Sequence, residues 1–465
     1  MKEQGRSTLS PEATGQILDR LSGLEKVLSP EVIRRVLQDT GRVNRRACPL
    51  THEVMLWVVL AMGLLTHLPI RQVFRHSRRW RDGDKIPERS SLCEARQRLG
   101  VEPLRELSAR VVRPLATVNT PGAFSHGFRL MGIDGTLLDV PDSEANAVFG
   151  RASGGRGTGA FPQVRKVSLV ELGTHVETAL VIGGYRDGEQ TLARQLWEHL
   201  PPDALLLEDR GFFAYEDWKA RHLRAKLLIR RKSNLVLKPI RTLSDGSYIA
   251  QIYPSSYHRD KDRDGIEVRV IKYTLDDPQR TGHQQTHVLM TNLLDEIEFP
   301  ALELIALYHE RWEEELVFDE QQTHQDPRRA EKPAQLRSET PDGVKQELYA
   351  LSLGHFVIRS LMVAAALPTA SSPEHLDVDR LSFTGCFRIL QCRLPECDSR
   401  TPETLTRWYE SLLTELRAEQ IGPRRNRINP RVIKRKMSKW PKKRPHHRRL
   451  KPLVKTFEEA VVMAN

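Results

Sequence analysis

The chain is poor in cysteine: five in 465 residues, none closely paired in sequence. Cys386, Cys392 and Cys397 are spaced too loosely for a zinc knuckle, and Cys48 and Cys93 stand alone. A disulfide scaffold is excluded, and reduced thiols are expected. A long apolar run is also missing. The longest, Val54 to Leu65, is too short to span a bilayer and reads as a buried helix, so no membrane partner is expected. Behind Lys2, Glu3 and Arg6 no apolar segment follows, so no secretory signal is expected and the cytoplasm is the expected compartment. There is no internal repeat. Acidic residues are absent from one whole stretch: between Gly422 and Lys451 stand fourteen Lys and Arg and no Asp or Glu. Subtracting fourteen from the net charge of +12 leaves −2 for the rest, so the basic excess is local. Runs this dense, here including Arg431, Lys434, Lys436, Lys442 and Lys443, bind polyanions, and nucleic acid is the expected partner.

What is present is a soluble composition, 39% hydrophobic and 28% charged, on a chain too long for one core. Residues 1–122 read as helical, in segments cut by Gly or Pro at Pro11–Leu24, Pro30–Asp39, His52–Leu65, Pro69–Arg78 and Ser91–Leu99. For the last, Ser90 or Ser91 is the expected N-cap and Gly100 the stop. The segments Ile70–Arg78 and Leu92–Leu99 suggest two crossing helices with Arg96 and Arg98 pointing outwards, a module for DNA contact or for simple packing. The linker from Trp80 to Arg89 is too long for a compact helix-turn-helix.

From residue 123 the pattern turns to strands. Phe128–Asp134 is an apolar strand ending on an acid, and Leu137–Val140 a second. Val164–Leu172 and Glu177–Ile182 alternate like a hairpin about Gly173-Thr174. A helix at Gln190–Leu200, a buried strand at Ala204–Asp209, a helix at Tyr215–Arg221 and a strand at Lys226–Arg230 complete residues 123–232. This is the order of a ribonuclease-H-like α/β core, whose first and fourth strands are neighbours, so Asp134 and Asp209 are expected side by side. Residues 233–299 read as a β-rich insertion, 300–330 as one helix from Pro300 to Pro327, 331–420 as a helical C-terminal region and 421–465 as a basic tail.

At about 100° per residue, Tyr308, Arg311 and Glu315 fall within roughly 60° on that helix. A carboxylate beside a guanidinium and a phenol suits a metal held next to a phosphate. With Asp134 and Asp209 it makes three carboxylates, a hard-oxygen site for Mg²⁺ or Mn²⁺. Two such ions activate one oxygen and stabilise another in phosphodiester displacement. Glu208 is sent to the other face by strand alternation. Asp139 and Asp142 rank below Asp134, and Asp319, one turn beyond Glu315, is the rival third ligand.

Three blocks now carry a resemblance: Met131-Gly132-Ile133-Asp134-Gly135-Thr136, Glu208-Asp209-Arg210-Gly211-Phe212, and Tyr308, Arg311 and Glu315 at their spacing. Together they resemble the bacterial insertion-sequence DDE transposases, closest to the insertion-sequence-four type, over roughly residues 20–440. The resemblance implies that Asp134, Asp209 and Glu315 are catalytic metal ligands, and that Tyr308 and Arg311 engage transposon-end DNA; Arg210, in the second block, is a further DNA-binding candidate. It implies two Mg²⁺ ions, replaceable by Mn²⁺. It also implies double-stranded DNA partners, both terminal repeats and target, and a homodimer or higher oligomer at the bacterial nucleoid. One position departs. The family's block carries Lys seven residues after the Glu, where this chain has Gln322, so a phosphate-binding cation is lost. Two other readings are a decayed transposase that only binds DNA and a ribonuclease-H-like nuclease on branched DNA. The Tyr-Arg-Glu block argues against the nuclease.

Overall fold

Hydroxyl side chains decide where several helices begin. Ser29, Thr51, Thr340, Ser382 and Thr401 each accept a backbone N–H from the first turn of the helix that follows, three of them with Pro next in line. Losing such a cap costs about 1 kcal/mol. The computed structural model describes residues 18–44, 48–79, 82, 85–154, 157–278, 283–326, 336–369, 372–397, 401–422 and 455–464.

Among the described residues, five α-helices come first: α1 (Pro30–Asp39), α2 (His52–Leu64), α3 (Ile70–His76), α4 (Arg89–Leu99) and α5 (Glu102–Val111). Strands β1 (Phe124–Ser125), β2 (Phe128–Asp139), β3 (Ser153–Gly154), β4 (Gly157–Thr158), β5 (Gln163–Glu171) and β6 (Val176–Gly184) follow. Then come α6 (Glu189–Ala193), β7 (Ala204–Glu208), α7 (Tyr215–Arg221), β8 (Lys226–Arg230), β9 (Arg241–Thr242), β10 (Tyr248–Ile252), α8 (Ser256–Asp260), β11 (Ile266–Leu275) and β12 (His287–Thr291). The chain continues with α9 (Ala301–His309), α10 (Glu313–Asp319), α11 (Pro341–Ala366), α12 (Phe383–Arg393), α13 (Pro402–Ala418), α14 (Phe457–Ala460) and β13 (Val461–Met463).

Two units result. The first comprises Met1–Ala123, Ile133–His199 and Glu313–Ile421, and holds the largest apolar core. At its centre α2, buried from Val54 to Leu64, lies against α11. A Cβ on Gly63 would sit 1.9 Å from the Ala350 carbonyl oxygen, so only glycine permits this approach. α11 is the one helix among the described residues long and apolar enough to cross a membrane, and 89% of its apolar window is buried in protein. In this unit β6, β5 and the second half of β2 are sheet neighbours.

The second unit comprises Phe124–Gly132, Leu200–Trp312 and Gly422–Asn465. Here β2 runs parallel to β7, pairing Arg129–Gly132 with Ala204–Leu207, and β7 runs parallel to β8. All five residues of β7 are buried, as a parallel strand covered on both faces requires. The fold is the mixed α/β arrangement expected, with the first and fourth core strands adjacent. Two expectations need correction. Phe128–Asp139 is one strand of 12 residues, not two. The α4 helix starts at Arg89 with Glu88 as an uncapped N-cap, not at a serine, although Gly100 ends it at φ +74°. The stretch expected as a β-rich insertion joins the same sheet, because β12 pairs antiparallel with β8 and carries β11, β10 and β9 outward. Nor do the final residues trail away: β13 pairs with β11 and Phe457 stacks on His309 at 4.2 Å.

Candidate active site

The segment from Ala301 to Gln325 is helical but changes type twice. A 3₁₀ turn at Glu310–Trp312 separates α9 from α10, and a π-helical turn at Glu320–Gln325 follows. The single regular helix from Pro300 to Pro327 is therefore not what forms. A phase of 100° per residue holds only within each piece, because 3₁₀ and π turns wind at different pitch.

In the second unit the Tyr308 hydroxyl, buried, donates to the Glu208 carbonyl oxygen at 3.1 Å. That ties the end of α9 to the end of β7, one residue before Asp209. Asp209 is half-buried, with φ −75° and ψ 160°, and opens a 3₁₀ turn over Arg210–Phe212. Burial pushes the Tyr308 phenol well above its usual range, with Arg311 opposing and Asp209 adding to the shift. Both groups thus lie within electrostatic reach of the phenol. Arg311 is buried and Arg210 exposed. Glu208 points the other way, as alternation requires, and pairs in the interior with Arg221. Burial raises its carboxyl, against the pull of Arg221.

In the first unit Asp134 is half-buried and accepts the Gly135 N–H at 2.9 Å. A side chain at Gly135 would meet the Glu189 carboxylate at 2.1 Å, so the glycine lets α6 bring a further acid up to the Asp134 strand. Gln322 is buried and donates through Nε2 to Thr136 Oγ1 at 3.2 Å, two residues from Asp134. On α10, Glu315 is exposed whereas Glu314 is fully buried. The rivals have other partners. Asp319 pairs with His324 at 3.3 Å, Asp139 accepts from Gln163 at 2.8 Å, and Asp142 pairs with Arg151.

Beneath α10 lies a buried polar hub with no counterpart in the sequence reading. Gln321 joins Lys166 and Glu177, and Gln325 donates to the Gly63 and Leu351 carbonyls at 2.8 and 2.9 Å. Glu320 meets Arg359, His355 and His175. Burial would raise the Glu320 carboxyl, yet Arg359 and His175 hold it well below the usual range. His175, Glu313 and Asp379 place ligand-type atoms within 4.8 Å of one another, a grouping able in principle to hold a cation. Burial and Arg359 oppose charge on His175, but Glu320, Asp379 and Glu313 outweigh them and raise it to about 9. Arg359, with Nη2 2.6 Å from His175 Nδ1, already brings a positive charge to these carboxylates, so the grouping is an ion-pair node. The sequence signal for the hub is the unbroken polar run Glu320–Gln325.

Arg96 is corrected. Its guanidinium does not point outwards but donates to Gln346 Oε1 at 2.7 Å and the Gly343 carbonyl at 2.6 Å, with Glu347 at 3.7 Å. It packs the start of α11. Arg98 is exposed, 3.9 Å from Glu94. Arg431, Lys434, Lys436, Lys442 and Lys443 lie outside the described residues.

Two family models match the chain: the insertion element 4 transposase N-terminal domain over residues 18–109 and the transposase DDE domain over residues 126–349. The chain belongs to the insertion-element-4 family of DDE transposases. Transposase InsG for insertion sequence element IS4, from Escherichia coli K12, is 29% identical over 431 residues, 90% of this transposase and 93% of the relative. The putative transposase InsZ of the same organism is 27% identical over 192 residues, 40% of this chain and 62% of the other. Among solved structures, a piggyBac transposase synaptic complex with hairpin DNA aligns at TM-score 0.40 and 10% identity, covering 86% of each chain. Membership brings a divalent-metal dependence, since DDE transposases use such ions.

Proposed function

We propose that this transposase cuts DNA at the ends of an insertion sequence and joins them to target DNA by metal-dependent hydrolysis and transesterification. The observation carrying this reading is the register of β2 on β7. Its last pair is Gly132 with Leu207, and two residues further along the chain stand Asp134, within β2, and Asp209, one past the end of β7. Glu315, exposed on α10, is the third acid.

Partly exposed carboxylate oxygens are a donor set fit for Mg²⁺, with Mn²⁺ as substitute, and these three residues would hold it. Two ions, when bound, supply activation of the attacking oxygen and stabilisation of the leaving one. The chain's own residues do the rest by position and charge. The Tyr308 proton is committed to the Glu208 carbonyl, so the phenol holds the strand end beside Asp209. Arg311 and the exposed Arg210 supply guanidinium groups for the phosphates of end DNA. Gln322 supplies an amide without charge. A homodimer or higher oligomer brings two ends together.

Single replacement of Asp134, Asp209 or Glu315 by Ala is expected to abolish end cleavage in Mg²⁺ while end binding persists. Undiminished cleavage by any one of them would sink its assignment. Gln322 in the place of the family's Lys favours a second reading, a protein that only occupies ends. Mobility shift alongside nicking on terminal repeats separates the two, since binding without nicking supports the second.

A further inference from the structure

We propose that His175 is a positioning residue for Glu315, clamping both ends of the short helix that carries this carboxylate. The inference rests on Glu315 being a metal-binding acid. α10 has only seven residues, Glu313–Asp319, and lies between a 3₁₀ turn and a π turn, so its own hydrogen bonds do little to fix it. His175 grips it at each junction. Nε2 meets Glu313 Oε2 at 3.0 Å, at the first residue, and Nδ1 meets Glu320 Oε1 at 3.1 Å, one residue past the last. Glu315 is two residues from the first grip and five from the second.

The clamp is itself anchored. His175 is fully buried in the turn between β5 and β6, and holds φ +57°, a conformation that a non-glycine residue keeps only where its surroundings enforce it. β5 neighbours β2, the strand of Asp134. On the other side Arg359 and His355 of α11 share Glu320, at 3.0 Å for both Arg359 Nε and His355 Nε2. The groups facing the imidazole are therefore Glu313 and Glu320 from the helical run, Asp379 at 3.5 Å, and Arg359, whose Nη2 is 2.6 Å from Nδ1. Three carboxylates and one guanidinium thus surround the imidazole, which reaches Glu313 through one nitrogen and Glu320 through the other.

The test uses the full-length protein, DNA carrying terminal inverted repeats, and Mg²⁺ titration of end cleavage. His175→Gln leaves a side chain able to hold only one of the two carboxylates. Glu313→Gln, at a less buried position, loosens only the first and guards against a variant that fails to fold. Both are expected to slow cleavage, His175→Gln by about 10- to 100-fold. Both should raise the Mg²⁺ needed for half-maximal rate, with end-binding affinity within about twofold of wild type, as expected of displaced rather than removed chemistry. Wild-type cleavage and Mg²⁺ requirement in both variants, with Glu315→Ala inactive, would overturn the positioning role. So would parallel loss of melting temperature, binding and cleavage in both, which marks a purely structural residue. Retained cleavage in Glu315→Ala instead strikes the reading of Glu315 itself, separately from the clamp.

Discussion

At the scale of single residues, the polar groups around the acids are committed to hydrogen bonds that fix backbone. Tyr308 is the plainest case: its buried hydroxyl donates to the Glu208 carbonyl, next to Asp209. Tyr308→Phe keeps the ring and removes the donor, leaving a buried carbonyl without that partner. A loss of about 1 kcal/mol is expected, read as a lower denaturant midpoint. An unchanged midpoint would mean that the bond adds nothing net. Gln322 poses the opposite question, since it holds Thr136 at 3.2 Å but carries no charge. Gln322→Lys retains a donor and adds one cation. If that cation reaches phosphate, the log–log salt slope of end binding steepens by about 0.9. A slope equal to wild type would show that the amide serves only the strand.

At the scale of elements, the sequence spoke most clearly where apolar period and capping agreed. α1, α7 and β8 fall at the boundaries expected from the pattern, and the hairpin of β5 and β6 turns at Gly173-Thr174 as expected. Illegible were the features set by distant contacts. Glu320, Gln321, Gln322 and Gln325 are all buried, and their partners come from the first, second and last thirds of the chain. No local pattern announces a π turn whose buried polar side chains find partners elsewhere in the chain. Arg96 misled for the same reason: a charged residue on a short helix reads as exposed until the start of α11 is known. Two element-scale outcomes follow. Gly63→Ala forces α2 and α11 apart, since the new methyl lies 1.9 Å from the Ala350 oxygen, and costs about 1–3 kcal/mol in a full-chain unfolding midpoint. Stability also depends on pH through the hub. His175 is raised from 6.5 to about 9, so its contribution is complete below about pH 6.5 and lost as pH climbs to about 9. Glu320 is lowered, so its contribution is present above pH 4.5 and lost as pH falls through its folded value. Melting temperature should decline between pH 6.5 and 9 in the wild type, and this decline should shrink in His175→Gln.

For the whole molecule, the succession of two strands and a helix bearing the acids was legible, although Asp134 lies inside β2 and Glu315 in the first turn of α10. The split of the chain into two units, each assembled from three separate segments, was not. Contiguous domain boundaries cannot express a strand such as β2, whose first half belongs to one unit and whose second half belongs to the other. The basic stretch between Gly422 and Lys451 gains meaning from what flanks it. On one side Ile421 donates its N–H to the Arg380 carbonyl at 2.7 Å, and on the other Lys455 pairs with Asp276 at 2.8 Å ahead of β13 on β11. A truncation beginning at Gly422 would remove that strand together with the charge and confound the two. Neutralising Arg431, Lys434, Lys436, Lys442 and Lys443 with Gln in the full chain removes charge alone. Since each phosphate contact contributes about 0.9 to the salt slope, five lost contacts would flatten it by up to about 4.5. DNA of unrelated sequence should lose affinity as much as end DNA, because phosphate contacts carry no sequence. An unaltered salt slope in the quintuple variant would show that the polyanion contacts lie elsewhere, with Arg98 and Arg210 the exposed cations to replace next.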